Sequence, residues 1–181
     1  NWPELDNAVS DAKNISAELK RRGYSTMLLL NVGHEELERA LTSFYLRKDV
    51  DDKSRLLLWY AGHGGTTENY SFLVPVNAPN KSSRAFKNKV LSLDRFKELS
   101  GKAEANHVLV VFDSCFSGTI FSASRGVLGD PITEEVFEPV RQFITSGSAD
   151  EEVKDNGNFA ALFLSALNGE TNADANDDGY L

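Results

Sequence analysis

An α/β protein built on a mainly parallel sheet is the fold class this chain predicts, and three observations predict it. Leu56-Leu-Leu-Trp-Tyr-Ala61 and Val108 to Phe112 are near-continuous apolar runs, which read as strands buried on both faces of a parallel sheet. Helical and strand patterns alternate along the chain, as a sheet with helices on both faces requires. Both runs end in residues that carry chemistry, Gly62-His63-Gly64-Gly65 after the first and Asp113-Ser-Cys115-Phe-Ser-Gly118 after the second. In an open α/β sheet, sites form outside the carboxyl ends of the strands, so a thiol and an imidazole are delivered to one edge.

The elements follow in order. Asp6 is placed to cap a helix running to about Arg22, with Ala8, Ala12, Ile15 and Leu19 at helical spacing. Gly23 ends it, and Lys20-Arg21-Arg22 in its last turn complements the helix dipole. A strand is expected from Tyr24 to about Asn31, then a helix from about His34 to Arg47 with Leu37, Ala40, Leu41 and Phe44 on one side. After the His63 strand come a loop and a short Phe72 to Val76 segment, then a helix near Leu93 to Leu99 with Ser92 as its cap. The Cys115 strand follows. Ser117 to Glu138 shows little periodicity, and the chain closes with a strand at Gln142 to Ser146 and a helix at Phe159 to Leu167. No internal repeat, low-complexity segment or linker interrupts this order, so residues 1–181 read as a single domain.

Composition agrees. With 41% hydrophobic residues in 181, the chain can bury a proper core, and no apolar run approaches a transmembrane span. A net charge of −8 and a pI near 4.9 argue against nucleic acid as a partner. A membrane partner is not expected either. One cysteine rules out an internal disulfide framework and points to a reducing, cytoplasmic setting, where a thiolate stays usable.

A lone Cys is most often a small buried hydrophobe, and a lone His is usually structural. Cys115 differs because Ser114, Ser117 and Gly118 surround it with turn residues after the apolar pattern has stopped. His63 differs because glycines flank it, so the backbone can bend sharply there. A thiol beside an imidazole base is the minimal machinery for covalent acyl transfer.

At these residues the chain resembles the caspase-like cysteine peptidases, and within them the metacaspase and orthocaspase branch. Tyr60-Ala-Gly-His63-Gly64 is similar to that family's histidine motif and Asp113-Ser-Cys115-Phe-Ser-Gly118 to its cysteine motif. The separation of the two, roughly 50 residues, is that of caspase-type peptidases. The resemblance runs from about Pro3 to the end, through Leu5 to Ala12, Phe72-Leu-Val-Pro-Val-Asn77 and Phe143 to Asp150. Three positions depart from it: Ala61 stands where metacaspases carry a serine beside the specificity pocket, Phe116 where many carry a histidine, and Asn77 where an aspartate is common.

The resemblance implies a three-layer caspase-like sandwich and peptide-bond hydrolysis through a Cys115 acyl-enzyme, with His63 as general acid and base. It also implies an oxyanion hole from the backbone N–H groups of Cys115 and Gly64. The family's acidic pocket falls on Asp11 and Asp113, with Ala61 beside it, and two carboxylates in a pocket favour a cation between them. Substrates are therefore expected to be proteins or peptides with Arg or Lys before the cleaved bond. No third member of a triad can be assigned: His34 reads as a first-turn helix residue, and His107 stands at the far end of the Cys115 strand.

Such domains open with a strand before the first helix, so that strand and a C-terminal continuation are expected outside residues 1–181, with other domains of the same polypeptide as partners. Ser122-Ala-Ser-Arg125-Gly126 offers a bond for self-processing, with Lys81 to Lys89 as the second candidate. Asp174, Asn176 and Asp178 match the first half of a calcium loop. A half loop lacks its strongest ligand, so a solvated polar turn is the plainer reading; no cofactor is required for the chemistry. Two rival functions remain beside the peptidase. A catalytically idle interaction module is opposed by the intact Cys115 and His63. A flavodoxin-like phosphate binder would want a Gly-rich loop between strand and helix, which the chain lacks.

Overall fold

The computed structural model describes residues 2–67, 70–114, 139–147 and 155–171. In chain order the elements are α1 (Ala8–Arg21), α2 (His34–Tyr45), β1 (Arg55–Ala61), β2 (Gly64–Thr66), β3 (Ser71–Leu73), β4 (Leu91–Ser92), α3 (Leu93–Gly101), β5 (His107–Asp113), β6 (Val140–Thr145) and α4 (Asn158–Leu167). Contacts group into two compact units, Asn1–Pro3 with Asn31–Val153 and Glu4–Leu30 with Lys154–Leu181.

The first unit contains the predicted parallel sheet. β1, β5 and β6 lie side by side in that order, with Leu56 opposite Val108 and Val110 opposite Phe143. Val108, Val110 and Phe112 of β5 join Leu37, Leu41 and Tyr45 of α2 and Leu93, Phe96 and Leu99 of α3 in one core. Val111, of opposite side-chain parity, is also fully buried, which is why β5 reads as an unbroken apolar run. The α/β class expected from the sequence is the class observed. Helix α3 starts where it should, with Ser92 Oγ accepting from the Arg95 N–H at 3.3 Å.

Helix α2 is capped from a distance. Asn77 Oδ1 accepts from the His34 N–H at 2.9 Å, and a Cβ on Gly33 would stand 2.8 Å from Asn77 Nδ2. Asn77 is therefore a structural residue here, tying the chain after β3 to the helix start. Arg141 plays a similar part at β6: its guanidinium donates to the carbonyls of Ser100 (2.7 Å), Ala103 (3.0 Å), Asn106 (3.1 Å) and Val140 (3.1 Å). That planar fork closes the turn entering β5.

A second, antiparallel sheet in the order β2-β3-β4 was not expected. Gly64-Gly-Thr66 has no apolar alternation to announce a strand; it forms one because β3 supplies the partner, Gly65 opposite Phe72. Phe72 and Phe86 anchor a separate small core with Val74, Ala78 and Val90, against which Trp2 and Tyr70 pack.

In the second unit α1 packs with α4. Two expectations fail here. Asp6 does not cap α1: Asn7 holds the cap position, and its side chain bonds to the Asp155 carbonyl at 2.7 Å instead of its own helix. Residues 24–30 form no strand, and Tyr24, Met27, Leu28 and Leu30 are exposed. A strand is stable only beside a partner, and among the described residues none pairs with this segment. No helix of the described residues is long and apolar enough to cross a membrane.

Candidate active site

The parallel register sets the site. Ala61, the last residue of β1, pairs with Asp113, the last of β5, and the Gly62 N–H extends the ladder to the Asp113 carbonyl at 3.2 Å. His63 follows Ala61 by two residues, and in sequence Cys115 follows Asp113 by two. Cys115 itself lies outside the described residues, as do Phe116, Arg125, Asp174, Asn176 and Asp178. Ser114, next to it in sequence, is buried, and its N–H donates to Ser146 Oγ at 3.1 Å.

His63 is held at both ends. Its ring Nε2 lies 2.7 Å from the carbonyl oxygen of Pro3. A carbonyl can only accept, so Nε2 carries the proton and Nδ1 is left as the basic nitrogen. The Trp2 ring packs 5.4 Å from the imidazole and 6.3 Å from Phe86, while its Nε1–H donates to the Pro79 carbonyl at 3.2 Å. The carbonyl that orients His63 is thus clamped by its own neighbour. The Pro3 contact was invisible to a reading of side chains, because a backbone carbonyl has no residue signature.

The His63 backbone is pinned as firmly. Its carbonyl accepts from the Val74 N–H at 2.9 Å and from the Tyr60 hydroxyl at 2.9 Å. Burial pushes the Tyr60 phenol above its ordinary range, so it remains a donor. The hydroxyl fits inside the turn only because Gly62 has no Cβ; one would stand 2.7 Å from Tyr60 Oη. Gly65 also sits close to a ring, a Cβ there meeting Phe72 at 3.0 Å.

The expected pocket acids are placed as follows. Asp113 ends β5 and is partly buried, directly beside Ala61. Asp11, in the second unit, shares the buried side of α1 with Ile15 and Leu19 and is only 8% exposed. Burial raises its carboxyl above the ordinary value, and the Asp155 charge adds to that shift. Asp155, whose Oδ2 accepts from the Asn7 N–H at 2.9 Å, was not singled out from the sequence. Its only signal was an acid just before the last helix. His34 opens α2 as expected, and His107 opens β5, at the opposite end of that strand from Asp113.

Comparison with known proteins gives the family. The sequence profile described as the caspase domain matches residues 1–179. The human mucosa-associated lymphoid tissue lymphoma translocation protein 1 is 33% identical over 78 residues, a stretch covering 43% of this chain and 9% of that protein. The relative is thus matched over a small part of its length. With the profile spanning almost every residue, from the Trp2 clamp to the last helix, this chain belongs to the caspase-domain family of peptidases.

Proposed function

We propose that this domain is a cysteine endopeptidase of the metacaspase and orthocaspase type, cleaving proteins after Arg or Lys. The observation that carries the reading is the His63–Pro3 hydrogen bond, which turns Nε2 to the Pro3 carbonyl and leaves Nδ1 as the nitrogen free to take a proton at the strand edge where Cys115 follows in sequence. In the proposed cycle Nδ1 accepts the Cys115 thiol proton as sulfur attacks the scissile carbonyl. The N–H groups of Cys115 and Gly64 hold the oxyanion. The same proton passes to the departing amine, and a water activated at Nδ1 then hydrolyses the thioester. Nε2 keeps its proton throughout and donates it to the Pro3 carbonyl, which stabilises the imidazolium. No cofactor enters these steps.

The basic-residue preference rests on the family resemblance at Asp11 and Asp113. A guanidinium suits such acids by its planar, bidentate shape. Ala61 leaves the edge beside Asp113 without the serine hydroxyl of metacaspases. Self-processing at Arg125 and function beside further domains of one polypeptide belong to the same proposal, and a cytoplasmic setting suits the thiol.

A peptide library cut by the wild type and by Cys115→Ala tests the reading. The wild type should cut after Arg and Lys, Cys115→Ala should cut nothing, and only the wild type should show an Arg125 nick by mass spectrometry. A dominant preference for Asp or large apolar residues would show that the pocket is misassigned, and turnover by Cys115→Ala would remove the nucleophile.

A further inference from the structure

The segment from Pro79 to Val90 contains four cations and no acid in a chain of net charge −8. Lys89 is paired with Glu35, but among the described residues Lys81, Arg84 and Lys87 have no carboxylate partner and all three are exposed. Two of them are held in place. Lys81 Nζ stands 5.6 Å from the Trp2 ring and 5.8 Å from the Phe72 ring, and Lys87 Nζ stands 5.7 Å from the Tyr70 ring. A Cβ on Gly65 would come within 3.6 Å of Lys81 Nζ, so this ammonium lies over β2, the strand that leaves the His63 turn. Ring faces attract the cations without neutralising them.

We propose that Lys81, together with Lys87, forms a subsite for an acidic side chain of the substrate on the leaving side of the cleaved bond. The inference rests on the peptidase reading above. His63 gives its proton to the departing amine, so groups packed against that imidazole are close to the residues that follow the bond. Steps of 5.4 Å from His63 to Trp2 and 5.6 Å from Trp2 to Lys81 keep the ammonium within about 11 Å of the ring. An extended peptide advances roughly 3.3–3.6 Å per residue, so the carboxylate belongs to one of about the first three residues after the bond. The subsite thus pairs with the acidic pocket: a basic residue before the bond, an acidic one shortly after it.

The test uses quenched peptides with Arg before the bond and Glu, Gln or Lys placed in turn at the first, second or third residue after it, incubated with wild type, Cys115→Ala and the Lys81→Met/Lys87→Met double variant. Methionine keeps an apolar stem over the rings and removes the charge. Wild type should favour Glu over Gln by about three- to fivefold in kcat/KM, the size of an exposed ion pair, with Lys disfavoured. Added salt should shrink the ratio, and the double variant should bring it to about one. Equal rates for Glu, Gln and Lys at all three positions in wild type, or a ratio that survives in the double variant, overturn the subsite alone. Absence of Cys115-dependent turnover on every peptide overturns the peptidase reading and the subsite with it.

Discussion

Substituting Gly62 by alanine places a methyl carbon 2.7 Å from Tyr60 Oη, 2.9 Å from its Cζ and 3.2 Å from its Cε1. Favourable contacts lie near about 3.5–4.0 Å, so ring and turn must separate by roughly 0.5–1 Å. The ring resists. It packs edge-on against Phe112 at 6.4 Å, and its hydroxyl is bonded to the His63 carbonyl. The turn must therefore give, which moves His63, the next residue. Overpacking of this kind costs about 1–3 kcal/mol, and a misplacement of about 1 Å in a catalytic group costs on the order of 10²-fold in rate. We expect Gly62→Ala to melt several degrees lower and to lose on the order of 10²-fold in kcat on an arginyl peptide, with a smaller change in KM. Tyr60→Phe removes the nearest oxygen but not Cζ or Cε1, so combining the two should recover part of the stability loss. A Gly62→Ala variant within twofold of wild type in kcat would refute the idea that this turn fixes the imidazole.

Other perturbations read other parts of the account. Arg141→Met removes a fork that serves four carbonyls and should cost about 3–5 kcal/mol in urea denaturation; a loss below about 1 kcal/mol would mean that those carbonyls find water readily. Asn77→Ala takes the distant cap from α2 and should cost about 1 kcal/mol, measured the same way, without a change in specificity. Asp11 carries a carboxyl raised above its ordinary 3.8, so the folded state prefers it protonated, and the stability this gives is present below that value and lost as pH rises through the raised one. Asp11→Asn should therefore melt higher than wild type at pH 7, with the advantage gone at low pH, while cleavage after Arg falls sharply. A lower melting temperature at pH 7 would contradict the burial argument.

Much of this was legible because buried strands write themselves as apolar runs. Leu56 to Ala61 and Val108 to Phe112 gave both the sheet and the edge on which His63 stands, and Ser92 announced its helix. The failures have physical causes. Tyr24 to Leu30 has strand composition, but pairing depends on a partner that composition does not name. Gly64 to Thr66 has no strand composition and pairs anyway, because β3 lies beside it. Asp6 lost its cap role when Asn7 took the position and bonded to Asp155, more than a hundred residues later in the chain. The Pro3 carbonyl has no side-chain code at all, and the Trp2 clamp that holds it emerges only when residue 2 meets residues 63, 79 and 86 in space.

Labelling with an irreversible electrophile that carries an arginyl recognition group, followed by intact-mass and peptide mass spectrometry, tests the central claim most directly. The account predicts one adduct per wild-type chain, located on Cys115, formed at least tenfold more slowly in His63→Ala, since a general base contributes roughly 10²–10⁴-fold, and absent in Cys115→Ala. No adduct on wild-type Cys115, or equal labelling rates with and without the His63 imidazole, would contradict it.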